Sequence, residues 1–237
     1  MGSPETTISV TELLERIGTP AAPCIYDVRR RAVFDEADSM IPGAKWRDHR
    51  TAADWAAGLP AGSEIVIYCV HGHNVSHCAT ASLRQGGLAP RRLDGGIEAW
   101  IAAGGAIVQK DRLPASALEA PSCWLTGERP TVRALQCLWL IRRWIDPAAV
   151  VLHLDEAWIP AAAEDLSALP FAVEGAGPAD VMGLAASFGL DVEGLDQLVS
   201  PALQGAVALA ARGLAGPEHG LAVLDGLHAA QRWARAA

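Results

Sequence analysis

One cysteine of this 237-residue sequence directly follows an apolar, β-branched run, a position suited to nucleophilic chemistry. The stretch 65–76 reads IVIYCVHGHNVS, so Cys69 ends the run and a short loop containing Gly72 comes next. A helix predicted after this loop would turn its first backbone N–H groups, and the positive end of its dipole, toward the loop. Both stabilise negative charge on sulfur, and the thiolate is the nucleophilic form of cysteine. The pattern therefore marks Cys69 as a candidate nucleophile.

Cysteine and histidine side chains around this position also form a candidate metal-binding cluster. Its members are Cys69, His71, His73, His77 and Cys78, and the His73–His77 pair has the i, i+4 spacing of a helical metal site. We expect His73 to precede the helix, however, and the two cysteines to lie at different ends of the segment, so no metal is predicted. In a third interpretation, Cys69 is a small side chain packed in the core.

The elements that would position Cys69 alternate between strands and helices. CIYDV (24–28) and EIVIYCV (64–70) are continuous apolar runs, typical of strands in a parallel sheet that is covered on both faces. MIPGAKW and PRRLDGG each predict a turn with a short strand. Helices are predicted over 9–18, with Ser9 as cap and Gly18 as stop, and over 32–37, 51–59, 75–87 and 96–105. This alternation predicts an α/β domain with a parallel sheet flanked by helices.

Other polar and aromatic residues near these motifs have structural interpretations. Asp27 and Arg29 are predicted to form an ion pair or a loop brace, and Trp46 and Trp100 to lie in the core. The run Asp94-Gly95-Gly96 is interpreted as a turn. None of these residues is predicted to contact a substrate.

The alternating pattern ends near residue 108. Residues 109–121 contain two prolines and are predicted to be a linker between one domain at 5–108 and another at 122–236. In the second domain, the apolar spacing over 131–145 predicts a helix, and 149–155 and 171–175 predict strands. Residues 179–236 are mostly helical by the same criterion. The predicted fold is therefore an α/β domain followed by a mostly α-helical domain.

Composition limits the partners of the protein. The net charge of −8 would repel phosphate backbones, so no nucleic acid is predicted. No apolar run approaches the roughly 18 residues that span a bilayer, so no membrane partner is predicted. The N-terminus lacks the basic start and apolar core of a secretory signal, which favours the cytoplasm. Five cysteines without a close repeated spacing are interpreted as reduced thiols.

Four motifs of the first half together resemble the rhodanese family in order and spacing. They are YDVRR (26–30), MIPGAKW (40–46), VIYCVHGHNVS (66–76) and RRLDGGIEAWIAAGG (91–105). The resemblance implies that Cys69 takes a sulfane sulfur from a donor, holds it as a persulfide and passes it to a thiol or cyanide acceptor. It also implies that no cofactor takes part, and that the persulfide lies in a loop of Val70, His71, Gly72, His73, Asn74 and Val75.

The implied reaction is a two-step covalent transfer, in which a thiolate attacks a sulfane sulfur and an acceptor thiolate then attacks the persulfide. The six positions from Cys69 to Asn74 match the shorter rhodanese loop, which suits sulfur and not a phosphoryl group. Many members carry arginine where this chain has Asn74. The missing guanidinium makes phosphatase chemistry improbable and predicts weaker binding of anionic donors such as thiosulfate, with histidines supplying part of the positive field.

The second half resembles the C-terminal domain of ChrB-type chromate-resistance proteins. The motifs are WLTGERPTVRALQCLWLIRRWIDPAAVVLHL (124–154), LPFAVEG (169–175) and FGLDVEGLDQL (188–198). Arg133-Ala134 replaces an Asp-Arg pair of the relatives, and AGPADVMGL replaces a histidine-bearing stretch. Arg142 and Arg143 are candidate oxyanion-binding residues, since guanidinium groups suit bidentate contacts with tetraoxyanions. The alternatives are a solvated helix end and a structural or dimerising domain.

Two classes of function follow from these patterns. The first is a thiosulfate or persulfide sulfurtransferase that uses Cys69 and is linked to chromate or oxyanion stress. Its partners are a sulfane-sulfur donor and a thiol or cyanide acceptor. The second is a non-catalytic redox- or oxyanion-sensing protein with a rhodanese-like module. Either class is compatible with a homodimer.

Overall fold

The structure is a computed structural model that describes residues 6–59, 62–129, 131–201, 204–208 and 217–236. The chain divides into two compact units, Met1–Ala120 and Pro121–Ala237. Each unit has its own parallel sheet and its own buried apolar residues. The α/β class predicted for the first half is confirmed.

A five-stranded parallel sheet forms the centre of the first unit. Its strands are β1 (Thr7–Ile8), β2 (Cys24–Asp27), β4 (Lys45–Trp46), β5 (Ile65–Tyr68) and β6 (Arg91–Leu93), in the spatial order β1-β6-β5-β2-β4. The register places Asp27 beside Tyr68. Strands β2 and β5 are buried, which explains why they are apolar without alternation. A separate antiparallel pair joins β3 (Ser39–Met40) to β7 (Val108–Gln109).

Five α-helices accompany this sheet at the predicted places. They are α1 (Val10–Arg16), α2 (Arg31–Glu36), α3 (Ala52–Ala56), α4 (Asn74–Gln85) and α5 (Gly96–Ala102). The Ser9 hydroxyl accepts a hydrogen bond from the Glu12 N–H at 3.1 Å, which confirms the predicted cap of α1. Trp100 of α5 is fully buried and Trp46 nearly so, as predicted for core residues.

The segment predicted to be a linker, 109–121, packs in its first part on the first unit. The Lys110 backbone N–H donates to the Asp38 carbonyl at 2.8 Å, and the Lys110 ammonium lies 4.0 Å from the centre of the Phe34 ring. The Lys45 ammonium donates to the Ala117 carbonyl at 2.6 Å. These contacts tie the segment to β3, α2 and β4.

The second unit contains a three-stranded parallel sheet and several helices. Strands β8 (Cys123–Gly127), β9 (Val150–Leu154) and β10 (Leu169–Pro170) lie in the order β10-β8-β9. The helices are α6 (Val132–Leu140), α7 (Ile159–Leu166), α8 (Val181–Ser187), α9 (Leu195–Leu198) and α10 (Pro217–Ala236). A π-helical turn, Ile141–Ile145, extends α6 and ends before Asp146-Pro147, where the sequence predicted the stop. Within the described ranges, no helix is both long and apolar enough to cross a membrane.

The prediction of a strand over 171–175 is wrong, because the extended backbone ends at Pro170. The Phe171 N–H still bonds to the Leu125 carbonyl of β8 at 2.9 Å, and its ring is fully buried. Ala172 then adopts a left-handed conformation, with φ at 53°, which turns the chain away from the sheet. The apolar run FAV therefore reflects core packing at a turn.

Candidate active site

Cys69 lies immediately after β5, at the carboxyl end of a central strand. Its side chain is only 5% exposed, and its Sγ lies 3.3 Å from the Oγ of Ser76 on α4. The Ser76 hydroxyl donates to the His73 carbonyl at 2.9 Å, so its oxygen accepts from the thiol. Ser76 is fully buried and is a site residue that was not predicted from the sequence. The signal for it was a serine in the first turn of the helix that follows the cysteine loop.

The loop that joins Cys69 to α4 has backbone N–H groups that are available as donors. Within the described residues, the N–H groups of residues 70–76 donate to no protein acceptor. Gly72 has φ at 70°, a left-handed conformation that lets the loop curl over the end of the strand. A row of unpaired amide donors at a helix N-terminus favours negative charge. The loop can therefore stabilise an anionic sulfur or an anionic donor.

The first turn of α5 holds this loop in place. The Ile97 N–H donates to the Cys69 carbonyl at 3.0 Å, and the Glu98 N–H donates to the Val70 carbonyl at 3.2 Å. A Cβ on Gly96 would lie 2.3 Å from the Val70 carbonyl oxygen, so no side chain fits there. The run Asp94-Gly95-Gly96 is the predicted turn, with positive φ at both glycines, and it also positions the cysteine loop.

A buried polar network braces the strand ends next to Cys69. Asp27 is fully buried and pairs with Arg29 at 2.6 Å, which confirms the predicted ion pair. The Tyr68 hydroxyl donates to the same carboxylate at 2.7 Å and accepts from the Ile41 N–H at 3.3 Å. Burial, and secondly the charge of Asp27, raise the pKa of Tyr68 well above its ordinary value. Tyr68 therefore keeps its proton and remains a donor to Asp27.

A depression of about 280 Å³ opens onto Cys69. Arg30 lies at its rim, is exposed, and makes no ion pair with any described residue. Asn74 is exposed at the first position of α4, and it is not one of the described residues that line this depression. The depression is lined by Arg29, Arg30, Val33, Cys69, Val70, His71, His73 and Val75. The guanidinium of Arg30, the residue just before α2, thus borders the cysteine site, although the loop itself has no arginine.

The side chains of the candidate metal cluster do not form one ligand set among the described residues. His71 Nδ1 lies 2.9 Å from a carboxylate oxygen of Glu98, on the surface. His77 and Cys78 are exposed on α4. In the part of the chain that the structure describes, no group of three or more His, Cys, Asp or Glu side chains is arranged to hold a metal ion.

Arg142 and Arg143 in the second unit each contact a carboxylate of α10. Arg143 makes two hydrogen bonds to Asp225, at 2.8 and 2.9 Å, and the indole N–H of Trp139 donates to the same carboxylate at 2.9 Å. Arg142 donates to Glu218 at 2.8 Å. A guanidinium engaged in this way has fewer donors left for an oxyanion. The oxyanion-binding role of this pair stays a prediction.

Family models match both halves of the chain. A model of the rhodanese-like domain matches residues 9–103, and a model of the ChrB C-terminal domain matches residues 124–200. The class defined by fold and site is therefore a rhodanese-like domain with a cysteine at the end of its central strand. The chain joins this domain to a ChrB C-terminal domain, which confirms both resemblances found in the sequence.

Several solved structures are similar to part of the chain. A rhodanese-related protein of Thermoplasma volcanium has 25% identity over 44% of this chain and 97% of its own, with a TM-score of 0.38. A protein of Anabaena sp. has 31% identity over 42% and 89%, with a TM-score of 0.38. A rhodanese-like domain protein of Staphylococcus aureus has 25% identity over 40% and 90%, with a TM-score of 0.36. No curated protein matches the chain.

Proposed function

We propose that the first unit is a sulfurtransferase that carries sulfur as a persulfide on Cys69. The observation that carries the proposal is the loop after Cys69, where the backbone N–H groups of residues 70–76 have no protein acceptor among the described residues and the hydroxyl of Ser76 lies 3.3 Å from the sulfur. Such donors lower the energy of a thiolate and of the anionic outer sulfur of a persulfide. The membership in the rhodanese-like family supports the same reaction.

In the first step, the Cys69 thiolate attacks the sulfane sulfur of a donor. A new S–S bond forms on Cys69, and the S–S bond of the donor breaks and leaves its electron pair on the departing group, which is sulfite when the donor is thiosulfate. In the second step, an acceptor thiolate or cyanide attacks the outer sulfur. The bond to Cys69 breaks, and the thiolate is regenerated.

Arg30 is the positive group that we assign to donor binding. It lines the depression that contains Cys69, and it is not neutralised by a carboxylate among the described residues. Arginine makes strong charge-assisted hydrogen bonds to oxyanions. Arg30 therefore compensates for Asn74, which stands where many relatives carry the loop arginine. The depression of about 280 Å³ favours small donors such as thiosulfate or a low-molecular-weight persulfide.

The cellular setting of the reaction is a further part of the proposal. All five cysteines are free thiols in the structure, which supports a reducing compartment such as the cytoplasm. The ChrB C-terminal domain supports a link to chromate or another oxyanion stress. Such oxidants consume cellular thiols, and the acceptor of the sulfur would then be one of these thiols.

A steady-state assay with thiosulfate and cyanide tests turnover. The full chain should form thiocyanate at a rate proportional to enzyme, and Cys69→Ser should form none above the uncatalysed rate. Cys78→Ser is the matched control, because Cys78 is the exposed cysteine on α4 and its loss should leave the rate unchanged. Equal rates for the wild type and Cys69→Ser would refute the proposal. A wild type that holds sulfur on Cys69 without passing it to any acceptor would instead be a sulfur-responsive sensor.

A further inference from the structure

A second and larger pocket, of about 640 Å³, also borders the cysteine loop. Its walls come from the loop, from α4 and from the end of β6. Cys69 is not among the described lining residues, which are Thr6, His71, Gly72, His73, His77, Thr80, Ala81, Arg84, Arg92, Asp94 and Gly95. This wall contains arginine and histidine side chains, and Asp94 is its one acidic residue among the described lining residues.

Arg92 is the unusual group in this pocket. The residue is only 9% exposed. Its guanidinium nevertheless makes no hydrogen bond or ion pair with any described residue, and its Nε is buried without an acceptor. The preceding residue on the same strand shows the contrast. Arg91 is paired with Glu12 at 2.5 Å and with Glu64 at 3.3 Å. The fold thus neutralises one arginine of β6 and leaves its neighbour uncompensated.

A second buried polar group faces the same pocket. Thr80 of α4 is 5% exposed, and its hydroxyl has no hydrogen-bond partner among the described residues. His77 lies nearby on the same helix. His77 is exposed overall, but partial desolvation lowers the pKa of its imidazole, with the charges of Arg92 and His73 acting in the same direction.

Two physical costs point to what the pocket accommodates. A buried charge without a partner is expensive, and so is a buried hydroxyl without a hydrogen bond. An anion bound in the pocket would remove both costs at once. The planar fork of a guanidinium matches two oxygens of a tetrahedral oxyanion, and a hydroxyl can donate to a third.

We propose that this pocket is a binding site for a tetrahedral oxyanion, which Arg92 holds through two hydrogen bonds and Thr80 through one. The oxyanion is either a free inorganic ion or a phosphate or sulfonate group of a larger molecule, for which the volume leaves room. The ligand would contact the cysteine loop at Gly72 and at His71 and His73, two residues that also line the depression that opens onto Cys69. The site is separate from the proposed sulfur transfer, because Cys69 does not contribute to its wall.

Titrations of the full-length Cys69→Ser protein test this site without interference from persulfide chemistry. Sulfate, inorganic phosphate and phenyl phosphate are added at constant ionic strength against chloride, and NMR signals of the His77 imidazole and calorimetry report binding. We expect saturable binding that shifts the His77 signals. Tighter binding of phenyl phosphate than of phosphate identifies a ligand that carries the oxyanion on a larger molecule. Equal or weaker binding identifies a free oxyanion.

Substitutions of Arg92 and Thr80, with one control, locate the ligand. Arg92→Met should weaken sulfate binding by about tenfold or more, since it removes two charge-assisted hydrogen bonds. Thr80→Val, which keeps the shape of the side chain, should weaken it by about threefold. Arg112→Met removes an exposed arginine elsewhere in the first unit and should change nothing. If Arg92→Met does not fold, Arg92→Lys keeps the charge, loses the fork and should still weaken binding.

Two results would overturn the proposal. One is the absence of saturable binding for all three anions in the folded Cys69→Ser protein. The other is an unchanged affinity in the folded variant of Arg92. Neither result bears on sulfur transfer by the wild type, so the two proposals fail separately.

Discussion

At the scale of single residues, the proposed chemistry depends on a few side chains that converge on one sulfur. Cys69 donates to Ser76, and Ser76 donates to the His73 carbonyl, so the hydroxyl is already oriented before any substrate binds. When the thiol loses its proton, the same hydroxyl can rotate and donate to the thiolate. Ser76 is therefore expected to support the nucleophile directly.

Replacement of this serine should slow the attack by Cys69. We expect Ser76→Ala to reduce the rate of alkylation of Cys69 by iodoacetamide at pH 7.5 by about tenfold, because one hydrogen bond to a charged group is lost. Ser82→Ala, a change on the same helix away from the sulfur, is the control and should leave the rate unchanged. Mass spectrometry of the Cys69 peptide measures both rates, and equal rates in the two variants would exclude the role of Ser76.

Replacement of Arg30 should affect anionic donors selectively. Arg30→Met is expected to raise the KM for thiosulfate by about tenfold and to leave the KM for an uncharged organic trisulfide unchanged, since only the anion gains from a guanidinium. Arg112→Met, an exposed arginine outside the depression, provides the matched control. An equal change in KM for both donors would show that Arg30 does not act through charge.

At the scale of elements, the cysteine loop is held between two helices that come from different motifs. The first turn of α4 supplies Ser76, and the first turn of α5 supplies hydrogen bonds to the carbonyls of Cys69 and Val70. The glycines at the start of α5 allow this approach, since a Cβ on Gly96 would collide with both carbonyl oxygens. The short strand β6 and α5 are thus part of the site.

Gly96→Ala should both destabilise the first unit and distort the loop. We expect a loss of about 2–4 kcal/mol in the free energy of unfolding, because a close backbone contact is added to a backbone conformation with positive φ. Gly104→Ala is the matched control, since Gly104 also has positive φ but open space around its Cα, and it should cost about 1 kcal/mol. Denaturant unfolding measures both values, and equal losses would show that the contact with the loop is unimportant.

The buried helix α6 offers a contrast in thiol chemistry. Burial, and secondly the charge of Asp180, raise the pKa of Cys137 to about 12, so this thiol stays protonated well above the ordinary thiol range of about 8.5. We therefore expect Cys137 to remain unlabelled by iodoacetamide up to pH 10 in the folded protein, whereas exposed Cys78 reacts readily. Labelling in denaturant is the control and should modify both. Reaction of Cys137 in the folded state would contradict the placement of α6.

At the scale of the whole molecule, the chain consists of two units that the sequence distinguishes by pattern. The first unit could be predicted well, because its central strands are continuous apolar runs and its helices have clear start and stop signals. In the second unit, the two-residue strand β10 could not be found, since Leu169-Pro170 has no periodicity and Phe171 adds an apolar residue just after it. Short strands depend on their partners, and the sequence does not show the partners.

The site was predictable only in part, because some of its contacts depend on the fold and not on the local sequence. The strand, loop and helix around Cys69 are local in sequence, so the cysteine and its loop could be selected from their spacing. Arg91 and Arg92 are neighbours, and only the fold shows that Arg91 contacts two carboxylates whereas Arg92 contacts none among the described residues. Ser76 and Arg30 likewise depend on distances across the fold. The contact of Arg30 with the depression joins segments that are far apart in the chain, whereas Ser76 is near in sequence but its contact with Cys69 depends on the curl of the loop.

The two units should be separable. We expect residues 1–120, expressed alone, to fold cooperatively and to retain the alkylation rate of Cys69, because the site lies entirely within this unit. Circular dichroism on heating and the alkylation assay check these two properties against the full chain. A fragment that stays unfolded would show that the first unit needs the second.

The most direct test of the central claim is the mass of the intact protein after exposure to thiosulfate or a polysulfide and removal of the excess donor. The wild type should gain one sulfur atom, located on the peptide that contains Cys69, and lose it again when cyanide is added. Cys69→Ser should gain none. The absence of any adduct on the wild type with every donor, or an equal gain in Cys69→Ser, would contradict the assignment of Cys69 as the sulfur carrier.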